Sequence, residues 1–229
     1  MSSPRAVLME LEGVIVETYE ARRTALLRAL ADDGISITAL EYDDVAHGLP
    51  VRGAVRAAIG VAEEHMDDTG LELVALRAER YFADAMTAGV TLTDGAREGL
   101  TALHAVARLG LVTRAARREV EPVLEAADAG FIFECIVTAD DVPDHPKPDP
   151  ASYLSAVGRL ERRRAISPRE AIALEDARAG IRSARGAGLR CVAVGSVPAF
   201  RALDADGYLP TLRGATLESL SAAGGEGRG

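Results

Sequence analysis

Residues 6–18 read AVLMELEGVIVET, and the first half of this stretch predicts the architecture of the chain. Its first four residues form a short apolar run without polar alternation, which is typical of a strand buried on both faces of a parallel sheet. Two carboxylates, Glu10 and Glu12, follow the run, and Gly13 suits a strand exit where the backbone must approach a ligand closely. The stretch therefore predicts a buried parallel strand with acidic residues at its carboxyl end.

Four more short apolar runs have the same character and alternate with segments of good helix formers. This alternation predicts an α/β fold with a Rossmann-like, doubly wound parallel sheet. The predicted strands are 6–9, 109–112, 132–137, 172–174 and 191–194, and the predicted helices are 94–108, 117–129, 150–159 and 179–187.

The interval 18–87 breaks this alternation, because it contains several amphipathic helical segments and no convincing strand. We interpret it as an inserted small α-helical cap. The core domain would then consist of residues 1–17 and 88–229, with polar or small residues at both junctions that suit a paired hinge.

Composition narrows the classes of partner. The 229 residues carry a formal charge of −9, so the chain offers no basic field for nucleic acid or an anionic membrane surface. The two cysteines lie in apolar runs and fit reduced, buried thiols, and no stretch approaches the roughly 20 apolar residues that span a bilayer. We expect a cytoplasmic protein, a monomer or weak dimer, that acts on a small molecule.

Polar residues mark the carboxyl ends of the predicted strands, where open α/β sheets bind their ligands. One of them, Lys147, is the single lysine among 26 basic residues. An ammonium is a compact point charge that can touch a carboxylate and a phosphate together, which the forked guanidinium does less well. The residues expected to converge at this edge are Glu10, Glu12, Thr113, Lys147, Glu175 and Asp176.

Four segments in this order resemble the motifs of the haloacid dehalogenase (HAD) superfamily. They are ELEGVIVET at 10–18, LVT at 111–113, KPDP at 147–150 and LEDARAG at 174–180. The gap after the first segment has the size of a cap. The chain thus resembles the subfamily with a small helical cap, which includes β-phosphoglucomutase-like proteins and sugar-phosphate phosphatases.

The resemblance implies a catalytic role for four residues: Glu10 attacks phosphorus, Glu12 transfers protons, and Thr113 and Lys147 hold the phosphate. Phosphoryl transfer to a carboxylate depends mainly on charge neutralisation and in-line positioning, which suits these residue types. The resemblance also implies substrate contacts at the Gly13 backbone and, from the cap, at Arg52.

A Mg²⁺ ion is the implied cofactor, because the acidic residues supply the hard oxygen ligands that this cation prefers. The implied metal-site residues are Glu10, Glu12, Glu175 and Asp176. Among them, Asp176 would pair with a carboxylate of the first strand, and Glu175 would act as an outer ligand or orienter.

The chain departs from the family at three positions, because relatives carry aspartate where Glu10, Glu12 and Glu17 stand. An extra methylene moves a carboxylate by about 1 Å, and a misplacement of that size can cost roughly 10²-fold in rate. Three hypotheses follow. The first is a Mg²⁺-dependent phosphatase for a small phosphorylated metabolite, such as a sugar phosphate. The second is a catalytically impaired relative that binds phosphate or a phosphometabolite, and the third is a phosphomutase.

Overall fold

The computed structural model describes residues 4–46, 49–195 and 204–223. In chain order its strands are β1 Ala6–Met9, β2 Val16–Glu17, β3 Thr91–Leu92, β4 Arg108–Val112, β5 Phe133–Val137, β6 Ala171–Glu175, β7 Arg190–Val194 and β8 Gly207–Leu209. Six of them form one sheet in the order β5-β4-β1-β6-β7-β8, and all neighbours in it run parallel.

Helices cover both faces of this sheet. They are α5 Ala96–His104, α6 Arg117–Ala126, α7 Ala151–Arg163, α8 Arg178–Gly186 and α9 Leu217–Ala222. Successive residues of β1 point to opposite faces: Val7 and Met9 join the apolar cluster with α5, α6 and α9, whereas Ala6 and Leu8 join the cluster with α7 and α8. The doubly wound α/β prediction is confirmed.

The register of the central strands brings their ends to one level. Met9 at the end of β1 lies opposite Leu111 of β4 and Leu174 of β6. The residues that follow, including Glu10 and Glu175, therefore leave the sheet side by side. This shared edge positions the candidate site.

All five predicted strands are present, with ends shifted by at most one residue. The predicted helix 94–108 is too long, because Gly95 takes a left-handed conformation before the helix starts. At the other end, Arg108 already belongs to β4, where its guanidinium bonds Glu134 of the neighbouring strand. The short elements β8 and α9 were not predicted.

Four helices occupy the interval between β2 and β3: α1 Tyr19–Ala31, α2 Ala39–Val45, α3 Val51–Val61 and α4 Asp68–Ala88. They share an apolar cluster of their own, and we refer to these four helices as the helical cap. The strands β2 and β3 pair antiparallel where the chain enters and leaves the cap. The domain boundaries at 17/18 and 87/88 stay a prediction.

Among the described residues, no helix is both long and apolar enough to cross a membrane.

Candidate active site

The predicted polar residues lie where the central strands end. Glu10 follows β1, Thr113 follows β4, Glu175 is the last residue of β6, and Asp176 comes next. The main-chain amide of Glu10 donates to the carbonyl of Leu174, which continues the ladder between β1 and β6 by one step. The parallel sheet thereby holds these side chains in one neighbourhood.

Lys147 is the centre of a buried cluster of charges. Its ammonium donates to Glu10 Oε2 at 2.8 Å, to Glu175 Oε1 at 2.5 Å and to the main-chain carbonyl of Val112 at 2.9 Å. The side chains of Lys147 and Glu175 are each 1% exposed, and that of Glu10 is 7% exposed. All three donor positions of the ammonium are used, and one cation serves two carboxylates.

Burial and this arrangement together determine the pKa values of the cluster. Burial raises the pKa of Glu175 above its ordinary value, and this outweighs the opposing effect of Lys147. Burial acts in the same direction on Glu10, but the ammonium of Lys147 and hydrogen bonds, including one from Thr113, hold its pKa below the ordinary value. Burial opposes the charge on Lys147, yet the two carboxylates raise the pKa of this ammonium. Glu10 is therefore held ionised, and the two carboxylates titrate as a pair.

Tyr153 of α7 belongs to this cluster, and sequence reasoning missed it. The tyrosine is fully buried, and its hydroxyl donates to Glu175 Oε1 at 2.6 Å. The centroid of its ring lies 5.0 Å from the Lys147 ammonium, which is a cation–π contact. In the sequence, Tyr153 looks like an ordinary core residue on the apolar face of a helix, and no local signal reveals its hydrogen bond.

The other oxygen of Glu175, Oε2, is buried and has no hydrogen-bond partner among the described residues. Gly180 of α8 provides the space for this carboxylate, because a Cβ at position 180 would lie 2.0 Å from Glu175 Oε2. The combination leaves one oxygen of a buried carboxylate available to a further donor or cation.

Asp176 lines the cavity described below and lies against the backbone of Gly13. Gly13 has a φ of +72°, and a Cβ there would lie 2.2 Å from Asp176 Oδ2. Burial raises the pKa of Asp176 well above its usual range, and the neighbouring Glu175 and Glu10 raise it further. Within the described residues its carboxylate has no hydrogen bond or ion pair. This excess of negative charge would be relieved by a cation.

The carboxylate of Glu12 is paired with a residue of the helical cap. Its Oε1 accepts from Nε of Arg22, a residue of α1 in the helical cap. The same guanidinium donates through Nη1 to Glu119 Oε1 at 2.8 Å, on α6 of the core. The charge of Glu12 still raises the pKa of Asp176. Glu12 therefore lies near Asp176 while its carboxylate is paired with Arg22.

A cavity of about 880 Å³ lies between the sheet edge and the helical cap. The predicted site residues in its lining are Glu10, Glu12, Gly13, Thr113 and Asp176, and the cap contributes Tyr19, Arg22, Tyr42 and Val51.

Two predicted substrate contacts do not line this cavity. Lys147 is buried in contact with Glu10, so a direct bond from its ammonium to phosphate stays a prediction. Arg52 is 63% exposed, and its Nε lies 2.8 Å from Glu72 Oε2 on α4. The structure does not bring Arg52 to the other site residues, because an exposed face of α3 carries it.

The donor chemistry at the sheet edge fits Mg²⁺, since Glu10 and Asp176 both present carboxylates to the cavity. The described residues contain no group of three or more His, Cys, Asp or Glu side chains arranged to hold a metal ion. Glu12 is paired with Arg22, and Glu10 and Glu175 are both paired with Lys147. Mg²⁺ is usually bound by one or two carboxylates together with substrate phosphates and water, so Glu10 and Asp176 are enough in number to fit it.

Comparison with known proteins identifies the class. Residues 7–194 match the haloacid dehalogenase-like hydrolase family, and the chain belongs to that family. The resemblance deduced from the four sequence segments, and the prediction that the protein is a hydrolase, are thereby confirmed.

Two individual relatives are similar to this chain over most of its length. The chain is 33% identical over 193 residues to validoxylamine A 7'-phosphate phosphatase of Streptomyces hygroscopicus subsp. limoneus, covering 82% of this chain and 84% of that protein. It is 25% identical to CbbY of Rhodobacter sphaeroides, with a TM-score of 0.78 over 92% of this chain and 95% of that one. Crystals of CbbY contain phosphate in one case and, for a variant, xylulose-(1,5)-bisphosphate in another.

A third relative agrees in fold alone. β-Phosphoglucomutase of Clostridium difficile is 19% identical, with a TM-score of 0.82 over 97% of this chain and 98% of that one.

Proposed function

We propose that the protein is a Mg²⁺-dependent phosphatase that hydrolyses the phosphoric monoester of a small metabolite. The observation that carries this proposal is the buried Lys147 ammonium bound to Glu10, a residue that lines a cavity together with further acidic residues. The ammonium keeps Glu10 ionised despite burial, and an ionised carboxylate is the form that can attack phosphorus. In this proposal Lys147 neutralises and orients Glu10, and the hydroxyl of Thr113 contacts the phosphate.

The reaction would proceed in two balanced steps. A carboxylate oxygen of Glu10 forms a bond to phosphorus while the bond to the ester oxygen breaks. For this step Glu12 leaves its ion pair with Arg22, takes up a proton from solvent and gives it to the leaving alcohol. Glu12, now ionised, then takes a proton from water as that water attacks the phosphorus of the acyl phosphate. Inorganic phosphate leaves, Glu12 releases its proton to solvent, and both carboxyl groups return to their starting states.

Bound Mg²⁺ would supply neutralisation of the charge on the transferred phosphoryl group. Glu10 and Asp176 would hold it, because their carboxylates reach the cavity and Asp176 has no other partner among the described residues. Glu175 Oε2, which has no hydrogen-bond partner among the described residues, would add negative charge near this pair as an outer ligand or orienter. The negative charge concentrated here favours a cation at the same place.

The cavity limits the substrate to a small metabolite. A volume of about 880 Å³ lies within the range usual for small-molecule sites. Relatives named as phosphatases of validoxylamine A 7'-phosphate and of phosphoglycolate support a small phosphorylated metabolite. Two predictions accompany the proposal: a cytoplasmic location, which two buried free thiols suit, and a monomeric or weakly dimeric state.

The proposal is tested with purified protein, Mg²⁺ and a panel of sugar phosphates, bisphosphates, phosphoglycolate and p-nitrophenyl phosphate. We expect phosphate release that is lost in the presence of EDTA and in Glu10→Gln, which keeps the size of the side chain and removes its charge. Circular dichroism of Glu10→Gln checks that the variant is folded. Release by wild type that equals release by Glu10→Gln would refute the assignment of the nucleophile.

A binding-only protein is the second candidate, and the geometry of Glu10 favours considering it. Both carboxylate oxygens of Glu10 already accept hydrogen bonds, one from Lys147 and one from the amide of Leu11 at 2.8 Å. This candidate predicts calorimetric binding of phosphate without turnover, and turnover that appears in Glu10→Asp. Wild type that turns over as fast as Glu10→Asp would exclude it. The phosphomutase hypothesis has the support of the fold alone.

A further inference from the structure

Tyr42 of α2 is a buried tyrosine whose hydroxyl has no hydrogen-bond partner among the described residues. The residue is 5% exposed, and its ring belongs to the apolar cluster of the helical cap. The two other tyrosines of the cap differ from it. The hydroxyl of Tyr19 donates to Asp43. The hydroxyl of Tyr81 donates to Asp32 at 2.6 Å. Because a buried tyrosine hydroxyl usually finds a partner, Tyr42 presents a polar atom that is available to a ligand.

The hydroxyl of Tyr42 borders the cavity of the candidate site. Tyr42 is part of the cavity lining, on the side that the helical cap forms. Burial raises the pKa of Tyr42 above its ordinary value, and the charges of Arg22 and Glu12 have smaller, opposite effects on it. Both of those residues also line the cavity, so the hydroxyl end of the ring lies beside the same space. The hydroxyl stays protonated at neutral pH and can both donate and accept a hydrogen bond.

The ring that carries this hydroxyl is held in place. Its centroid lies 6.2 Å from that of the Tyr19 ring, and the two rings are tilted by 53°. The helix α2 starts at a capping box, in which Thr38 and Glu41 each accept a hydrogen bond from the main-chain amide of the other. Tyr42 follows Glu41 directly, so its direction is set before a ligand binds. A preorganised group of this kind loses little entropy on binding.

The charge of the cavity lining narrows the class of substrate. Among the described residues, acidic side chains outnumber basic ones in this lining. The acidic residues are Glu10, Glu12, Glu17, Asp94, Glu119 and Asp176, and the basic residues are Arg22, Arg114 and Arg178. A bound Mg²⁺ and the phosphate of the substrate carry opposite charges, so the acidic excess remains when both are present. A second anionic group on the substrate is therefore disfavoured by like-charge repulsion, whereas neutral hydroxyl groups are not.

We propose that the hydroxyl of Tyr42 forms a hydrogen bond with a hydroxyl group in the alcohol part of the substrate. The substrate is then the phosphate ester of a polyhydroxylated compound, such as a sugar, and not of a hydroxy acid. The inference rests on the proposed function in so far as it places the ester phosphate at the Glu10 end of the cavity. It moves the expected contact with the cap from Arg52 to α2, because Tyr42 lines the cavity and Arg52 does not.

The kinetic test compares wild type, Tyr42→Phe and Tyr81→Phe with Mg²⁺ on three esters: the best sugar phosphate of the panel, phosphoglycolate and p-nitrophenyl phosphate. In Tyr42→Phe we expect kcat/KM for the sugar phosphate to fall by about 3- to 10-fold, the effect of one neutral hydrogen bond. The loss on p-nitrophenyl phosphate should be smaller, because that ester has no alcohol hydroxyl.

Tyr81→Phe is the matched control, because it removes a cap hydroxyl that does not line the cavity, and it should stay within about twofold of wild type. An equal loss on the sugar phosphate and p-nitrophenyl phosphate in Tyr42→Phe, or no loss on the sugar phosphate, would overturn the proposal. A wild-type kcat/KM for phosphoglycolate that reaches that for the sugar phosphate would overturn the substrate class.

Calorimetry with the same variants keeps this test separate from that of the proposed function. If wild type hydrolyses no ester, the phosphatase proposal fails, and the binding of sugar phosphates then decides about Tyr42. We expect Tyr42→Phe to raise the Kd of the sugar phosphate that wild type binds best by about 3- to 10-fold, and to change the Kd of inorganic phosphate less. Circular dichroism checks that the variant is folded. Equal affinity of wild type and Tyr42→Phe for that sugar phosphate would overturn the inference. So would a wild type that binds no sugar phosphate more tightly than inorganic phosphate.

Discussion

Replacement of Lys147 by methionine should destabilise the protein in a way that depends on pH. Methionine is similar in length and fills the same space, so the change mainly removes the charge. Glu10 and Glu175 would remain buried without a cation between them. Breaking a buried ion pair by removal of one partner costs about 3 to 5 kcal/mol of unfolding free energy. For a chain of this length, that loss corresponds to a fall in Tm of roughly 9 to 15 °C.

The direction of the pH dependence follows from the two carboxylates. Without the ammonium, burial and mutual repulsion raise both pKa values in the folded variant above their unfolded values. The resulting penalty is present above the unfolded pKa and is relieved as pH falls through the raised folded pKa. In wild type, the pKa of Lys147 is raised by folding. The contribution of its charge to the unfolding free energy is therefore fully present between pH 5 and pH 7.5 and is lost only at alkaline pH. The difference between wild type and Lys147→Met should therefore shrink from pH 7.5 to pH 5.

Urea unfolding at pH 7.5 and pH 5, with EDTA to exclude Mg²⁺, measures this difference. Leu111→Ala is the matched control, because Leu111 is fully buried in the neighbouring strand and carries no titratable group. Leu111→Ala should lower the unfolding free energy by about 2 to 5 kcal/mol, by the same amount at both pH values. A loss below about 1 kcal/mol for Lys147→Met, or a loss as independent of pH as that of Leu111→Ala, would refute the electrostatic reasoning.

Three further predictions concern residues around the site and in the core. Tyr153→Phe should lower the unfolding free energy by about 2 kcal/mol in urea titrations, because it removes a buried hydrogen bond to a carboxylate. Gly13→Ala should cost about 2 kcal/mol or more and weaken phosphate binding measured by calorimetry, since its Cβ would meet Asp176 at a positive φ. The thiols of Cys135 and Cys191 should react with a chromogenic thiol reagent at pH 8 after unfolding and not before. Burial raises the pKa of Cys135 to about 11 and that of Cys191 well above its usual value.

The parts of the site that follow strands could be predicted from the sequence. Apolar runs show where buried parallel strands end, and the geometry of a parallel sheet then brings Glu10, Thr113 and Glu175 to one edge. No detail of side-chain packing is needed for that step. The single lysine also drew attention to Lys147, which lies at the centre of the buried cluster.

Contacts that depend on the direction of a side chain could not be predicted. Nothing local to Tyr153 shows that its hydroxyl meets Glu175, since the partners are 22 residues apart and joined by folding. The pairing of Arg22 with Glu12 depends on how the helical cap sits on the core. Arg52 was expected at the substrate, but the rotation of α3 places it beside Glu72.

Short or irregular elements escaped prediction for another reason. The strand β8 has three residues, one of them the exposed Tyr208, and so it lacks the apolar run that identified the other strands. Such an edge strand pairs along one side and needs little apolar character.

The central claim is that the carboxylate of Glu10, kept ionised by Lys147, supports Mg²⁺-dependent hydrolysis of a phosphate ester. Its most direct test is the rate of phosphate release by wild type, Glu10→Asp and Glu10→Gln, each with Mg²⁺ on the same panel of esters. We predict turnover by wild type that Glu10→Gln abolishes and EDTA prevents. Release from none of the esters by wild type, with release appearing in Glu10→Asp, would contradict the account.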